Sequence, residues 1–444
     1  MPLTALALAA SILLSPASDS PTGKAFRFDP AQLANLQSGE PLPAAFEQLG
    51  GSGLRLLRKS VVEAPGQAAD GIHFQFEDPG DQAREASILL REGRLAGFIA
   101  ASGARHEIRS PKPGMATVSI AAPAAELPCG TTEEHRAPTH AGGGDGGGDG
   151  GIAGIGCDDG SLINVYVAYT DAAVTQAGGE PQMLDQILWA VGDSNTIYAN
   201  SGILVQLQLR GTERASGYVE DASMVNDLYF LRDPVDGVLD AVLANATWQG
   251  ADLTALVRAD GGGACGIAFL VGGSPSDVDY GVSVTALGCF SNRTFTHELG
   301  HNMGCCHAPG DGGGCTTGGV YPYSTGHRFL GTNGTQYRTV MAYAPGSRIG
   351  RFSSPLVNFQ GTPTGIADER DNARTINDTR FIVSNFRCAP CPADLTGDWV
   401  VDAADLALLL GAWGVGSPAG DLTGDDNTDA ADLAVMLGTW GICD

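Results

Sequence analysis

Three histidines and a glutamate are spaced for metal chemistry in the stretch His297-Glu298-Leu299-Gly300-His301-Asn302-Met303-Gly304-Cys305-Cys306-His307. On a helix, His297 and His301 are four residues apart and share one face, so both imidazoles can reach one metal ion. Glu298 is adjacent and is placed to accept a proton from an attacking water. Gly304 can end the helix and turn the chain, which would return His307 as a third nitrogen ligand. Three protein ligands with one open position are typical of a catalytic zinc site.

A methionine-containing segment lies downstream of this motif. It reads Thr339-Val340-Met341-Ala342-Tyr343, and its methionine follows His307 by 34 residues. Together the two motifs resemble the metzincin metalloproteases, in which a methionine turn lies beneath the zinc. Tyr343 then resembles the tyrosine that ligates zinc or stabilises the transition state in astacins and serralysins. Taken alone, Met341 would be an ordinary core residue and Tyr343 a packed aromatic.

Residues 163–170, 265–270 and 362–387 are similar to bacterial secreted proteases of the reprolysin (M12B-like) type. The resemblance covers about 157–387, with one departure, because Ala308 stands where reprolysins carry an aspartate after the third histidine. It implies an α/β (α+β) catalytic domain with a mixed twisted sheet and an active-site helix. It also implies zinc as cofactor and a protein or peptide as substrate.

The order of the apolar segments supports that fold. Strands are predicted at 163–169, 205–209, 253–257, 267–270 and 282–286. Helices are predicted at about 181–200, 222–231, 237–246, 292–303 and 371–386. This alternation favours a mixed sheet covered by helices. The remaining histidines lack ligand spacing and are predicted to be ordinary surface or loop residues: His73, His106, His135, His140 and His327.

Composition narrows the compartment and the partners of the 444-residue chain. Its formal net charge of −25 argues against nucleic acid or an anionic membrane as partner. Residues 1–18 resemble a secretory signal, the alternative being a buried helix, and no later stretch is long enough to span a membrane. The ten cysteines fit an exported, oxidised protein.

The cysteines also suggest particular disulfides. Cys265 and Cys289, which flank the segment before the active-site helix, are the expected pair. Either Cys305 or Cys306 is expected to bridge to Cys315. Likewise, Cys388 or Cys391 is expected to close on Cys443. Sequence alone leaves these last pairings open.

The region before the catalytic segment looks like a prodomain. Residues 19–140 contain alternating apolar segments at 71–76, 95–101 and 106–108, which predict a mainly-β fold. An independent β-domain is the alternative. Residues 141–156 form a glycine-rich linker and a plausible cleavage zone. Cys129, in Pro128-Cys129-Gly130, is a candidate zymogen switch whose thiolate would block the zinc, the alternative being a disulfide with Cys157.

Two similar segments, 394–414 and 421–441, form a C-terminal tandem within residues 388–444. Each spaces carboxylates as a calcium loop does, through Asp394, Asp398, Asp402 and Asp405, and through Asp421, Asp425, Asp429 and Asp432. The tandem resembles a dockerin, a small α module that docks onto a cohesin. Thr396 and Thr423 are weaker ligands at the third position, and Trp399 and Asp426 replace the usual turn glycine. The alternative is an acidic solubilising tail.

The sequence therefore predicts a secreted zinc endopeptidase, made as a zymogen, with a calcium-stabilised C-terminal module that could attach it to a cell surface. One rival is a catalytically silent, surface-anchored binding protein with a metzincin fold. The intact Glu298 argues against it, because inactive relatives commonly lose that residue. A zinc hydrolase acting on a non-peptide bond is a second rival.

Overall fold

The computed structural model describes residues 24–67, 69–101, 104–120, 128–137, 158–271, 273–311, 318–388, 391–396, 400–414, 420–423 and 427–442. The chain forms two compact units. The first contains the described residues of Met1–Val62 and Ala69–Ala124. The second contains those of Glu63–Ala68 and Ala125–Asp444. The predicted signal (1–18) and linker (141–156) lie outside the described residues.

The first unit is an antiparallel sheet with strand order β1-β7-β6-β5-β4-β3-β2. Its elements are β1 (Lys24–Arg27), α1 (Pro30–Ala34), β2 (Arg55–Val62), β3 (Gly71–Asp78), β4 (Asp81–Arg91), β5 (Arg94–Ala101), β6 (Ala104–Lys112) and β7 (Met115–Ile120). The expected mainly-β structure is therefore confirmed for this region.

Local sequence explains how this sheet turns and where its core lies. Glu92 and Gly93, between β4 and β5, have φ angles of 47° and 75°. Two successive residues with positive φ form the hairpin turn that matches the twist of a sheet. The core contains side chains from α1, from the 3-10 helix Ala44–Leu49 and from one face of the sheet, among them Leu33, Phe46, Phe74, Phe76 and Ile88.

The second unit contains a five-stranded mixed sheet with strand order β11-β12-β10-β8-β9. Only β11 runs antiparallel to its neighbour. Its elements as far as the active-site helix are β8 (Leu162–Thr170), α2 (Asp171–Ala177), α3 (Glu180–Asn200), β9 (Gln206–Ala215), α4 (Met224–Arg232), α5 (Asp240–Trp248), β10 (Leu253–Arg258), β11 (Gly266–Ala268), β12 (Val282–Ala286) and α6 (Thr294–Asn302).

Short strands and turns follow α6 before one more helix. They are β13 (Arg328–Leu330), β14 (Gln336–Arg338), β15 (Ser347–Arg348), β16 (Asn358–Phe359), β17 (Thr362–Pro363) and α7 (Asn372–Val383). Every strand and helix predicted for the catalytic segment is present, with ends that move by a few residues. Helix α2 was not predicted; it begins after Thr170, whose hydroxyl accepts a hydrogen bond from the Ala173 N–H at 3.0 Å.

The central strands are buried over their whole length, as expected for parallel strands covered on both faces. Helices α4 and α5 pack against one face, with a core that includes Leu228, Val242, Leu256 and Val284. Helix α6 contacts β11 and β12, and it also contacts α3. The mixed α/β class is confirmed, and the active-site helix lies beside the edge strand β11.

The C-terminal repeats fold into β18 (Val400–Val401), α8 (Ala403–Gly411), α9 (Ala430–Gly438) and β19 (Gly441–Ile442). A small core contains Ala393, Val401, Leu409 and Met436. The apolar runs of the two repeats are buried only in part. Leu408, Leu410 and Leu437 are about half exposed, because the two short helices pair along only one stripe.

The structure shows which of the described cysteines form disulfides. Cys265 and Cys289 are disulfide-bonded, as predicted. Cys306, Cys388 and Cys391 are also disulfide-bonded, whereas Cys305 is a free thiol. The proposed partners Cys157, Cys315 and Cys443 lie outside the described residues. Within the described part of the chain, no helix is both long and apolar enough to cross a membrane.

Candidate metal centre

Helix α6 carries two of the histidines and the glutamate, and it is anchored at its start. Arg293, just before the helix, is buried with its Nε 3.1 Å from Asp193 Oδ2 of α3. The Thr296 hydroxyl is hydrogen-bonded to Ser194 of α3 at 2.8 Å. All nine helix residues are buried. The side chains on this helix are therefore held by packing on every side.

The three histidine rings converge on one point. The Nε2 atom of His307 lies 3.2 Å from Nε2 of His297 and 3.0 Å from Nε2 of His301. The Nδ1 atoms of His297 and His301 each lie 2.9 Å from a backbone carbonyl, that of Val340 and that of Cys305 respectively. A carbonyl only accepts, so each Nδ1 donates and each Nε2 presents a lone pair.

This donor set fits zinc. Tetrahedral zinc with nitrogens at about 2.0–2.1 Å separates them by roughly 3.3 Å, close to the distances above. Burial, followed by the neighbouring rings, holds the pKa of His297 and of His301 well below the usual value, so both rings are neutral. Second bonds from ring nitrogens to carbonyls are the usual way in which metal-binding histidines are oriented.

Gly304 returns the chain so that His307 faces the helix. It has a φ of 85°, and a Cβ there would lie 2.4 Å from Cγ2 of Val320. Both the conformation and the space therefore favour glycine. The Cys305 N–H donates to the Gly300 carbonyl at 2.9 Å, which closes the turn.

The methionine turn lies against α6. Met341 is fully buried, and a Cβ on Gly300 would lie 2.7 Å from its Sδ atom. Gly300, between the two helical histidines, therefore lets the turn approach the helix. Sequence reasoning missed this residue, although a glycine inside a helix costs about 1 kcal/mol relative to alanine and so indicates a packing role.

Glu298 lies beside the histidines and is fully buried. A Cβ on Gly266 of β11 would lie 2.4 Å from Oε1 of Glu298, so the strand backbone passes directly over the carboxylate. Burial raises the pKa of Glu298 to about 8, while the contact with Cys129 and the charge of Arg348 act in the opposite direction. Sequence reasoning also missed Gly266.

Tyr343 joins the centre through its hydroxyl. The Oη atom lies 3.2 Å from Nε2 of His307 and donates to the Cys129 carbonyl at 3.2 Å. Burial raises the pKa of Tyr343 far above the usual value, so the phenol stays a neutral hydrogen-bond donor.

Asp311 holds the third-histidine loop against Tyr343, and it was not predicted. Its Oδ2 atom accepts from the Tyr343 N–H at 2.9 Å and from the Ala308 N–H at 3.1 Å. Arg328 forms an ion pair with the other oxygen. The sequence signal for Asp311 was its position three residues after Ala308, which stands where reprolysins carry an aspartate.

The segment 128–137 runs along the free edge of β11. Its bridges to Gly266 and Leu270 are parallel. The Gly130 N–H donates to the Gly266 carbonyl at 2.7 Å, and the Ala137 N–H donates to the Leu270 carbonyl at 2.8 Å. These two isolated bridges hold the segment at the edge of β11, beside the histidine cluster.

The pairing places the Cys129 thiol inside the cluster. Its Sγ donates to Glu298 Oε2 at 3.2 Å and lies 3.6 Å from Nε2 of His301. Burial and the Glu298 charge raise the pKa of the thiol, so the protein groups alone keep it protonated. A divalent cation would reverse this, since a coordinating thiol is deprotonated outright. Cys129 is free, so the alternative of a disulfide with Cys157 is wrong for this structure.

A cavity of about 120 Å³ opens beside the glutamate. Its wall contains residues of α6, of the methionine turn and of the segment before the linker: Pro128, Cys129, Cys265, Asn292, Thr294, His297, Glu298, Tyr343, Ala344 and Arg348. Arg348 was not among the predicted site residues. The only sequence signal for it is a basic residue shortly after the methionine turn.

Other predicted residues lie away from this centre. Among the described residues, Cys129, His297, His301 and His307 are the group of potential metal ligands found together. All three of His73, His135 and His327 are buried. The expectation of surface or loop residues was wrong for His73, in β3, and for His135, in a short 3-10 helix, whereas His327 lies in a loop. The Nε2 atom of His73 forms a hydrogen bond with the Ser87 hydroxyl of the neighbouring strand β4.

The C-terminal aspartates are placed differently from the histidines. Both oxygens of Asp405 accept backbone N–H groups, from Thr396 at 2.9 Å and from Asp402 at 2.8 Å. Asp432 makes the same bonds in the second repeat, with Thr423 and Asp429. Asp398 and Asp425 lie outside the described residues.

Comparisons with known proteins agree with this geometry. Residues 160–353 match the family model described as Reprolysin_5, metallo-peptidase family M12. A peptidyl-Asp metalloendopeptidase of Stenotrophomonas maltophilia is 29% identical over 347 residues, covering 74% of this chain and 80% of that protein. Another, from Xanthomonas campestris, is 32% identical over 231 residues, covering 51% of this chain and 52% of its own length.

A solved structure titled metalloproteinase-II from Bacteroides fragilis overlaps 57% of this chain and 78% of its own, with a TM-score of 0.38 and 13% identity. A TM-score this low supports no conclusion about the fold. The family match and the curated relatives, together with the histidine cluster, support the conclusion that the chain is a zinc metalloendopeptidase.

Proposed function

We propose that the chain is a secreted zinc endopeptidase made as a latent precursor, in which His297, His301 and His307 hold the zinc. The observation that carries the proposal is the convergence of three histidine Nε2 atoms beside a buried carboxylate. When bound, zinc supplies a Lewis acid that polarises a peptide carbonyl and lowers the pKa of water. Secretion is inferred from the apolar start of the sequence and from the disulfides.

Glu298 is the general base. It takes a proton from the attacking water and returns it to the departing amine, so that the peptide bond is hydrolysed. Burial raises its pKa to about 8, and a neighbouring dication lowers it again. Both effects together keep the carboxylate able to accept and to release a proton near neutral pH.

Tyr343 donates a hydrogen bond to the oxyanion that develops on the attacked carbonyl. Its neutral hydroxyl already donates to a carbonyl oxygen, that of Cys129, at 3.2 Å. That backbone carbonyl therefore stands where a substrate carbonyl could accept the same bond. Asp311 keeps Tyr343 in place through the backbone, and acts as a positioning residue.

Latency rests on Cys129. Its thiolate would hold the fourth zinc position in the precursor, and the segment 128–137 occupies the edge of β11 that a substrate strand would use. Residues 19–140 then act as a prodomain, and cleavage within 141–156 removes it. This proposal is supported by the 3.6 Å separation between Cys129 Sγ and His301 Nε2.

The substrate is proposed to be a polypeptide cut next to aspartate. The relatives from Stenotrophomonas and Xanthomonas are both named peptidyl-Asp metalloendopeptidases. We further propose that the C-terminal repeats bind calcium through their aspartates and dock onto a cohesin-like partner. The second proposal rests on the loop spacing and on two matching helices with capping boxes.

The function is tested with the full-length chain, assayed on protein substrate after proteolytic removal of the region before residue 158. A strong chelator should abolish cleavage, and zinc should restore it. Glu298→Ala should bind the same amount of zinc yet lose at least about 100-fold in rate, the contribution of a general base. Wild-type activity in that variant would refute the mechanism, and absence of cleavage by the zinc-loaded wild type would refute the function.

A further inference from the structure

We propose that Arg348 determines substrate specificity by binding the side-chain carboxylate of the residue next to the scissile bond. This inference rests on the proposed function and adds the residue that selects the substrate. It is carried by the position of Arg348 in the cavity beside Glu298.

The cavity adjoins the reacting groups. His297 and Glu298 form part of its wall, and Tyr343 forms another part. A peptide whose carbonyl reaches these groups has its flanking side chains within one residue of the attacked bond. A side chain that enters this cavity therefore belongs to a residue beside that bond. Pro128 and Cys129 also line the cavity, so departure of this segment opens it to substrate.

Arg348 is held in place by the backbone around it. It belongs to β15, which pairs with β14 through Arg338. Its Nη1 donates to the Asn292 carbonyl at 2.9 Å and its Nη2 contacts the Ala342 carbonyl at 3.5 Å. These carbonyls are neutral, so they orient the guanidinium without cancelling its charge. A fixed guanidinium suits a carboxylate, because its planar fork can bind both oxygens.

The charge of the cavity favours the same ligand. Of the described residues that line it, Arg348 alone carries a fixed positive charge. The chain as a whole has a net charge of −25 and therefore disfavours acidic peptides at long range. Selection of an aspartyl side chain consequently needs a local cation.

The test compares full-length wild type and Arg348→Gln after removal of the region before residue 158. Both are given paired peptides that differ only by Asp or Asn at one position, and kcat/KM is measured for each. Wild type should prefer Asp, and the variant should lose roughly 100-fold of that preference, measured as the ratio of kcat/KM for the Asp peptide to kcat/KM for the Asn peptide. Arg348→Lys should retain part of the preference, since an ammonium supplies charge without the fork.

Two further variants make the result specific. Arg348→Glu should favour a Lys peptide over the Asp peptide, which loss of folding cannot produce. Arg214→Gln removes a partly exposed arginine of β9 that does not line the cavity, and it should keep the wild-type preference. Peptide binding to the Glu298→Ala protein, with and without Arg348→Gln, measures the same discrimination without turnover.

The possible outcomes distinguish failure of the role of Arg348 from failure of the proposed function. If wild type cleaves but Arg348→Gln keeps the full preference for Asp, this inference is wrong and the proposed function stands. If all variants cleave Asp and Asn peptides equally, the aspartate specificity itself is wrong. If zinc-loaded wild type cleaves no peptide, the proposed function fails first.

Discussion

The catalytic centre and the C-terminal repeats both concentrate metal-ligand atoms, but they satisfy these atoms in different ways. At the centre, His297 and His301 use Nδ1 for carbonyls and turn Nε2 toward each other and His307. In the repeats, Asp405 and Asp432 direct their oxygens to backbone N–H groups of their own loops. The first arrangement needs a cation between its nitrogens, whereas the second already has protein partners.

This difference changes what metal removal should do. Clustered aspartates such as those of the C-terminal repeats are expected to repel one another until calcium binds. The capping boxes qualify that expectation, because Asp405 and Asp432 also act as ordinary helix-capping residues. Zinc is therefore expected to be essential for activity, and calcium to add modest stability to the repeats.

The largest expected effect concerns the thiol at the centre. Cys129→Ser in the full-length precursor should raise its proteolytic activity about tenfold or more, because serine is a poor zinc ligand. Cys305→Ser is the matched control, since Cys305 is also a buried free thiol; this variant should remain latent. Initial rates on a fluorogenic peptide measure both. If the Cys129→Ser precursor remains inactive, latency comes from the backbone of segment 128–137 alone and not from the thiol.

A smaller effect is expected when one glycine in each region is replaced by alanine. Gly300→Ala places a Cβ 2.7 Å from Met341 Sδ, so we expect a loss of roughly 1–3 kcal/mol in stability and reduced zinc affinity. Gly411→Ala in α8 meets nothing within 4 Å and should be neutral or stabilise by up to about 1 kcal/mol. Thermal melts and zinc titrations report both. Equal tolerance of the two would contradict tight packing beneath the histidines.

Calcium should act on the repeats alone. At the weak affinity expected for extracellular sites, millimolar calcium should stabilise them by roughly 0.4–1.4 kcal/mol per site. Calorimetry of the full chain in a zinc buffer should show one transition rising with calcium, and Asp394→Ala should halve the shift while peptide cleavage is unchanged. If no transition temperature changes with calcium, the repeats do not bind the ion and are an acidic pair of helices only.

The two regions should also show opposite pH dependences. Burial raises the pKa of Asp252 to about 8, so its stabilising contribution is complete below the unfolded value near about 3.9 and is lost as pH rises to about 8. Backbone bonds lower the pKa of Asp432, so its contribution is present above about 3.9 and is lost in acid.

Melting temperatures between pH 3 and 9 test both. Asp252→Asn should flatten the alkaline loss, and Asp432→Asn the acid loss. A pH profile that is the same in both variants and in wild type would show that neither carboxylate titrates as described.

The sequence predicted what depends on local spacing. The histidine motif and the apolar periodicities gave the ligand set and every predicted element of the catalytic sheet, because both are properties of neighbouring residues. Gly266, Gly300, Asp311 and Arg348 were missed, since each matters through an approach between distant segments. Cys306 forms a disulfide and Cys305 does not, although both are fully buried; two adjacent cysteines cannot be told apart by their position in the sequence.

X-ray absorption at the zinc edge of the full-length precursor tests the central claim most directly. We expect one zinc with three nitrogen ligands at about 2.0–2.1 Å and one sulfur at about 2.3 Å. Cys129→Ser should replace that sulfur with a light atom, and Cys305→Ser should leave it in place. A spectrum with no sulfur in the wild-type precursor, or one in which Cys129→Ser keeps the sulfur, would contradict the account.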